Sequence, residues 1–253
     1  MLKSSGSMAI VSLFLSLSLF PSAFPSAFAA ETADQIVRKA DDARGPKIPY
    51  SFTARVTNYN GSEVQDNTYR VSSKGTDLSL VAQTEPTRLQ GRKLLMKGRD
   101  LWLYTPEIKR PTRIGFEQRL TGEVSNGDLA RTHFAADYNS VLKGQEKVGG
   151  PSGKMCYKLH LTAKTKEVTY REIDYWVEKT TYYPLKAQFF AISGKLLKSA
   201  IYSDFKPILG HNRLTKTIIQ DALQPSKRSV LIYTKQKKEN FDDSFFSKES
   251  LGE

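Results

Sequence analysis

The residues that could carry covalent or acid–base chemistry are few and scattered. Cys156 lies between Met155 and Tyr157 in a strand-like run with no base placed beside it, which reads as a buried inert thiol. His133, His160 and His211 are the only histidines and are widely spaced, so a His-rich metal site is not expected. Asp41 and Asp42 are adjacent on a helical pattern and cannot converge on one substrate. Gly149 to Lys154 (GGPSGK) has the glycines of a phosphate loop. Its Lys, however, precedes Met155 where Ser or Thr is required, and Gly and Pro make it a hairpin turn. No nucleophile–base pair, dinucleotide fingerprint or zinc-ligand spacing is present in the sequence, so neither enzyme, cofactor nor metal is expected.

Charge carries more. The chain has 38 Lys and Arg against 26 Asp and Glu, a net charge of +12. Nine cations fall between Arg88 and Arg119 against three acids, and eight between Lys206 and Lys238 against Asp221 alone. Two readings are open: solvated strand faces with Lys guarding edges, or a surface for an anionic partner such as lipid headgroups. Nucleic acid is disfavoured because the chain reads as exported. Lys3, the apolar run Ala9–Phe20, Pro21 and the small-x-small triplet Ala27-Phe28-Ala29 form a secretory signal, with cleavage expected after Ala29. The run is shorter than the roughly 18 residues a membrane span needs, and no later run is long enough. The expected organisation is therefore a signal peptide over 1–29 and one domain over 30–253. One cysteine permits no internal disulfide.

The elements that must position any site follow from periodicity. Glu31–Arg44 reads as a short amphipathic helix with Ala33, Ile36, Val37 and Ala40 inward and Asp34, Lys39, Asp41 and Asp42 outward, ended by Gly45-Pro46. The period then changes to two. Tyr50–Asn60 alternates, Asn60-Gly61 signals a hairpin, and short strands follow through Thr112–Ile114. Residues 115–137 break the alternation: an irregular insert with a short helix expected around Asp128–Phe134, a functional loop or a lid. Strands resume at Met155–Thr162 and continue to Ser229–Lys235, and Asp242–Leu251 is expected to form a last short helix. About ten adjacent strands predict an antiparallel sheet that curls rather than lying flat.

Leu101–Ile114 (LWLYTPEIKRPTRI) resembles the W-x-Y-x-P-x-x-x-[KR]-x-x-R-[IV] segment of the outer-membrane lipoprotein-sorting family, the LolA-like carriers. Gly127-Asp128-Leu129 resembles that family's glycine/acidic loop, and Tyr175–Glu178 with Tyr183–Ala187 its later strand pair. Residues 121–126 depart from the family's more aromatic loop. The resemblance implies an unclosed antiparallel β-barrel, a half-barrel with helices covering its concave face and an apolar interior for acyl chains. It further implies a monomeric periplasmic carrier that takes lipoprotein or free-lipid cargo from an inner-membrane exporter of the ABC or RND/MMPL type toward an outer-membrane acceptor. An envelope-stress sensor on the same barrel is the alternative; such sensors carry a further C-terminal domain, and only a short tail follows Lys238. Trp102, Tyr104, Arg113, Ile114, Trp176 and Phe189 are the residues the resemblance places at the acyl cavity and its mouth. For the aromatic residues packed core is the competing reading, and for Arg113 an edge cation in place of a polar clamp.

Overall fold

The computed structural model describes residues 1–2, 31–115, 128–129 and 133–252. The expected signal peptide and most of the 115–137 insert lie outside the described residues. Residues Glu31–Glu253 cluster as one unit.

Helix α1 (Ala33–Arg44) starts on a reciprocal cap: Thr32 accepts from the Gln35 N–H while the Gln35 side chain accepts from the Thr32 N–H. It ends as Gly45 donates to the Asp41 carbonyl, with Gly45 in extended conformation instead of the left-handed turn its type suggests. Its buried face carries Ile36, Val37, Ala40 and Ala43, and also Asp41, which the periodicity had placed outward.

Among the described residues, thirteen strands follow in one antiparallel sheet. They are β1 (Tyr50–Asn60), β2 (Glu63–Lys74), β3 (Leu78–Glu85), β4 (Lys93–Lys97), β5 (Asp100–Tyr104), β6 (Thr112–Arg113) and β7 (Tyr138–Val148), then β8 (Lys154–Ala163), β9 (Glu172–Glu178), β10 (Pro184–Phe190), β11 (Leu196–Ile208), β12 (His211–Asp221) and β13 (Lys227–Lys238). Every strand bonds to its successor except β6, and the last strand returns to bond the first, β13 beside β1. Among the described residues the sheet is not closed, and its two free edges are β6 and β7. The irregular insert is the chain that joins those two edges.

Period-two alternation sorts the side chains. Tyr50, Phe52, Ala54 and Val56 of β1, Ile173, Tyr175 and Val177 of β9, and Ala187 and Phe189 of β10 enter one core on the concave face. Helix α1 packs into that concavity against β7, β9, β10 and β12. The other face of β3–β5 is also covered. Leu80, Leu95, Trp102 and Tyr104 form a second cluster with Phe246 and Leu251 of the C-terminal tail. Burial on both faces explains the nearly unbroken apolar runs LSLV, LLM and LWLY. The tail is tied down by Lys74 Nζ, which donates to Phe241 O (3.2 Å) and Asp243 Oδ1 (2.7 Å), and by Lys248, 4.6 Å from the Trp102 ring centre.

Several expectations need correction. Residues 242–251 form two 3-10 turns, Asp243–Phe246 and Glu249–Leu251, and they cover the convex face. Of the Asp128–Phe134 helix, only Asp128 and Leu129 are helical among the described residues, and 134–137 is a turn. Strand β7 lacked any alternation signal because it is an edge strand exposed at nearly every position. It is blunted by Lys143, Lys147 and a bulge at Gly144, whose φ of 151° suits glycine. The first hairpin turns on Gly61-Ser62, Asn60 pairing with Glu63; only Gly61 has positive φ (60°), the pattern of a type II′ turn.

The tail cluster makes a stability prediction. Phe246 is fully buried, so Phe246→Ala should cost about 3–5 kcal/mol. The urea midpoint should drop at unchanged slope; a loss under 1 kcal/mol would mean the tail is not part of the folded core.

Candidate functional site: the cavity inside the open sheet

The concave core is not filled to the end. A cavity of about 70 Å³ remains, walled by Tyr50 and Phe52 of β1, Phe189 of β10, Ala200 and Tyr202 of β11, Leu231 and Tyr233 of β13, and Leu129 and Phe134 from beside the insert. Its wall is aromatic more than aliphatic, and several rings bring hydroxyls with them. A dry cavity of ~150 Å³ admits a benzene ring. The present one therefore holds no acyl chain without displacement of part of its wall.

Phe134 ties that wall together, because its neighbours come from four elements. Its ring meets Tyr138, Tyr175 and Phe189 edge-on at 5.8, 5.3 and 6.4 Å. Arg44 stacks on it, with Cζ 3.9 Å from the ring centre, and lies 5.6 Å from that of Tyr202. The backbone here is held by Asp41: the Phe134 N–H reaches both carboxylate oxygens (2.9 and 2.8 Å), and the Ala135 N–H donates to Oδ2 at 2.8 Å. One carboxylate on α1 thus fixes where the insert returns to the sheet. Burial pushes the Asp41 carboxyl up to about 6, against the opposing pull of Arg44 and of the two backbone donors. His133, next to this junction, is pushed down to about 4 by burial and by the Arg44 charge, and is neutral at physiological pH.

Other polar groups in the wall are paired. Tyr170 Oη donates to Asp128 Oδ1 (2.8 Å), Lys198 Nζ stands 3.8 Å from Asp128 Oδ2, and Tyr233 Oη donates to Thr217 Oγ1 (3.2 Å). Nothing in the cavity resembles a nucleophile with its base. Cys156 is fully buried, its thiol pushed up to about 11 by burial first and the Glu178 charge second, and His160 bonds Asp174 at 2.7 Å on β8–β9. No group of three His, Cys, Asp or Glu is placed to hold a metal among the described residues.

The six residues picked from the sequence do not come together. Phe189 walls the cavity, and Ile114 is buried in the concave core. Trp102 and Tyr104 point to the convex face under the C-terminal tail, since Leu101 and Leu103 take the inward positions of β5. Trp176 likewise alternates with inward Tyr175; its Nε1 donates to Glu146, and Lys186 and Lys158 lie 4.5 and 5.2 Å from its ring centre. Arg113 is exposed on the edge strand β6, bonded through Nε to Asp100 at 3.1 Å. Asp41 and Arg44 were missed. They fall four and seven residues after Val37, on the apolar stripe of α1, and a charged residue repeating on an apolar stripe was the available signal.

Comparison with known proteins gives the same architecture. A LolA superfamily protein from Nitrosomonas europaea is 38% identical with a TM-score of 0.81, the match covering 87% of this chain and all of that one. A DUF1329 family protein from Desulfovibrio piger (23% identity, TM-score 0.76) matches over 87% of this chain and 97% of that one. A domain from Vibrio parahaemolyticus described as an outer membrane lipoprotein-sorting protein (21%, TM-score 0.75) matches over 87% and 98%. The latter two share the fold alone. A family described only as uncharacterized-protein-like matches residues 75–253. No curated protein matches the chain.

The Asp41 junction predicts a pH dependence. The folded state holds its proton more tightly than the unfolded chain, moving it from 3.8 to about 6. Its contribution is therefore fully present below about pH 4 and lost as pH rises through 6. The unfolding free energy of the wild type relative to Asp41→Asn should fall by about 3 kcal/mol across that window; His133 is common to both proteins and cancels in the difference. Urea melts at a series of pH values measure it, and a flat difference would contradict the burial argument.

Proposed function

The chain belongs to the LolA superfamily, and from that premise we propose that it is a non-enzymatic periplasmic carrier that takes acyl chains of lipoproteins or lipids into the concave face of its open sheet. The observation that carries this reading is the residual cavity in the concave core of a sheet that is not closed, walled in part by Leu129 and Phe134 from beside the insert. Entry needs the Phe134 turn, which leads into the free edge strand β7, to move aside.

The energetics suit a carrier. Each buried methylene contributes about 0.8 kcal/mol, so a cargo tail offsets the wall contacts it displaces and can be passed on where an acceptor offers comparable burial. Phe189, Leu231 and Ala200 would form the acyl-facing wall. A net charge of +12 favours approach to anionic membrane surfaces and acidic partner faces. An inner-membrane exporter of the ABC or RND/MMPL class would supply cargo, and an outer-membrane acceptor would remove it. Among the described residues no helix is long and apolar enough to cross a membrane.

Gentle purification followed by native mass spectrometry tests the proposal. Adducts with the mass of a lipid or an acylated peptide are expected. Recovery free of lipid from cells and from incubation with lipid vesicles would contradict it, as would turnover of the lipid. A filling substitution sharpens the test. Ala200 is buried in the cavity wall, so Ala200→Phe should occupy the void at a cost of about 1–3 kcal/mol in stability and reduce lipid retention at least several-fold.

A further inference from the structure

Arg44 lines the cavity, and Tyr175 lies beside its guanidinium, outside the lining itself. Nη1 of Arg44 and Oη of Tyr175 are both buried and have no hydrogen-bond partner among the described residues. Asp41 Oδ1 stands 4.0 Å from Nη1, beyond hydrogen-bonding distance, and both oxygens of that carboxylate are already engaged by the Phe134 and Ala135 N–H groups. The second carboxylate in the wall, Asp128, is taken by Tyr170 and Lys198. Stacking on Phe134 satisfies the face of the guanidinium but not Nη1. The rings of Phe134 and Tyr202 also fix where the guanidinium can point. Leaving a buried donor of a charged group unpaired is costly, and a ligand that supplies the acceptor recovers that cost.

We propose that Arg44, with the Tyr175 hydroxyl beside it, is the head-group site for an amphiphile carrying a carboxylate, the chemistry of a long-chain fatty acid. A guanidinium presents parallel N–H donors that match the two oxygens of a carboxylate, whereas an ester offers a single good acceptor. The tail has a separate place to go. Thr169 lines both the cavity and an adjoining groove of about 400 Å³ formed by Phe190, Ala191, Ile192 and Leu197, in which Ile192 is 74% exposed. A head inside at Arg44 and a hydrocarbon chain running past Thr169 into that groove would use both spaces. This names the cargo class of the carrier proposed above and rests on that reading.

Equilibrium binding of cis-parinaric acid and of its methyl ester, followed by their fluorescence, separates the two claims. The wild type should bind the acid roughly tenfold to hundredfold more tightly than the ester, the range expected of a charge-assisted hydrogen bond. Arg44→Met should abolish that preference while leaving ester affinity unchanged, which also reports that the variant is folded. Should Arg44→Met fail to fold, Tyr175→Phe carries the test with a several-fold loss for the acid alone. Ile192→Asp should weaken acid and ester alike, because it touches only the tail. Equal affinity for acid and ester in the wild type, or a preference that survives both Arg44→Met and Tyr175→Phe, overturns the head-group site and leaves the carrier reading standing. Binding of neither probe overturns both.

Discussion

One opening in the sheet governs this structure. Among the described residues each strand but β6 bonds to the next and the last to the first, so the free edges are β6 and β7. Edge strands carry unpaired N–H and C=O groups that invite association, and each of these two is dealt with differently. Strand β6 is only two residues long and carries Arg113, paired to Asp100. Strand β7 is long but bulged at Gly144 and charged along its length. The seam is therefore kept from sealing and from pairing with another chain. The concave face inside the sheet is in turn plugged by the protein's own elements.

Helix α1 and the Phe134 turn are that plug, and they are joined by a single acid. Asp41 anchors the turn through backbone hydrogen bonds, so its hold does not depend on which side chains the turn carries. Arg44, one helical turn on, stacks on Phe134 from beneath. The pair costs desolvation on both sides, which is why the carboxyl titrates near 6. A buried ion pair that could be replaced by apolar packing contributes little to net stability. Its place at the one junction between helix, insert and sheet is what distinguishes it from ordinary core.

Much of the fold was legible because most strands bury one face, and period-two alternation is what one buried face writes into a sequence. Strand β7 buries almost nothing and wrote no such signal. The site was legible only in part. Phe189 and Ile114 were expected at the acyl cavity; Phe189 walls it, and Ile114 lies in the concave core. For Trp102 and Trp176 the sequence shows two large faces on one strand, Leu101 against Trp102 and Tyr175 against Trp176. Which face turns inward depends on curvature and on what covers the outside. The C-terminal tail covers Trp102; Glu146, Lys158 and Lys186 cover Trp176. Those are contacts between residues far apart in the chain, and no local pattern encodes them. Asp41 and Arg44 were obscured for a different reason: charge reads as solvent exposure unless its partners are already in view.

The small resting cavity is itself a consequence of stability. An unfilled core void costs about 24 cal/mol per Å³, so the present 70 Å³ costs about 2 kcal/mol on that scale. A void kept ready for an acyl chain, on the order of 300 Å³, would cost about 7 kcal/mol by the same rule, comparable with the whole stability of many domains. A carrier that must survive empty between deliveries cannot hold such a space open. In the proposed carrier role it would fill the space with its own side chains, and Phe134 is one that now occupies the concave core. On this reading cargo replaces protein atoms instead of entering a vacancy. Affinity is then set by the difference between two packings, which is what allows a greasy chain to be released.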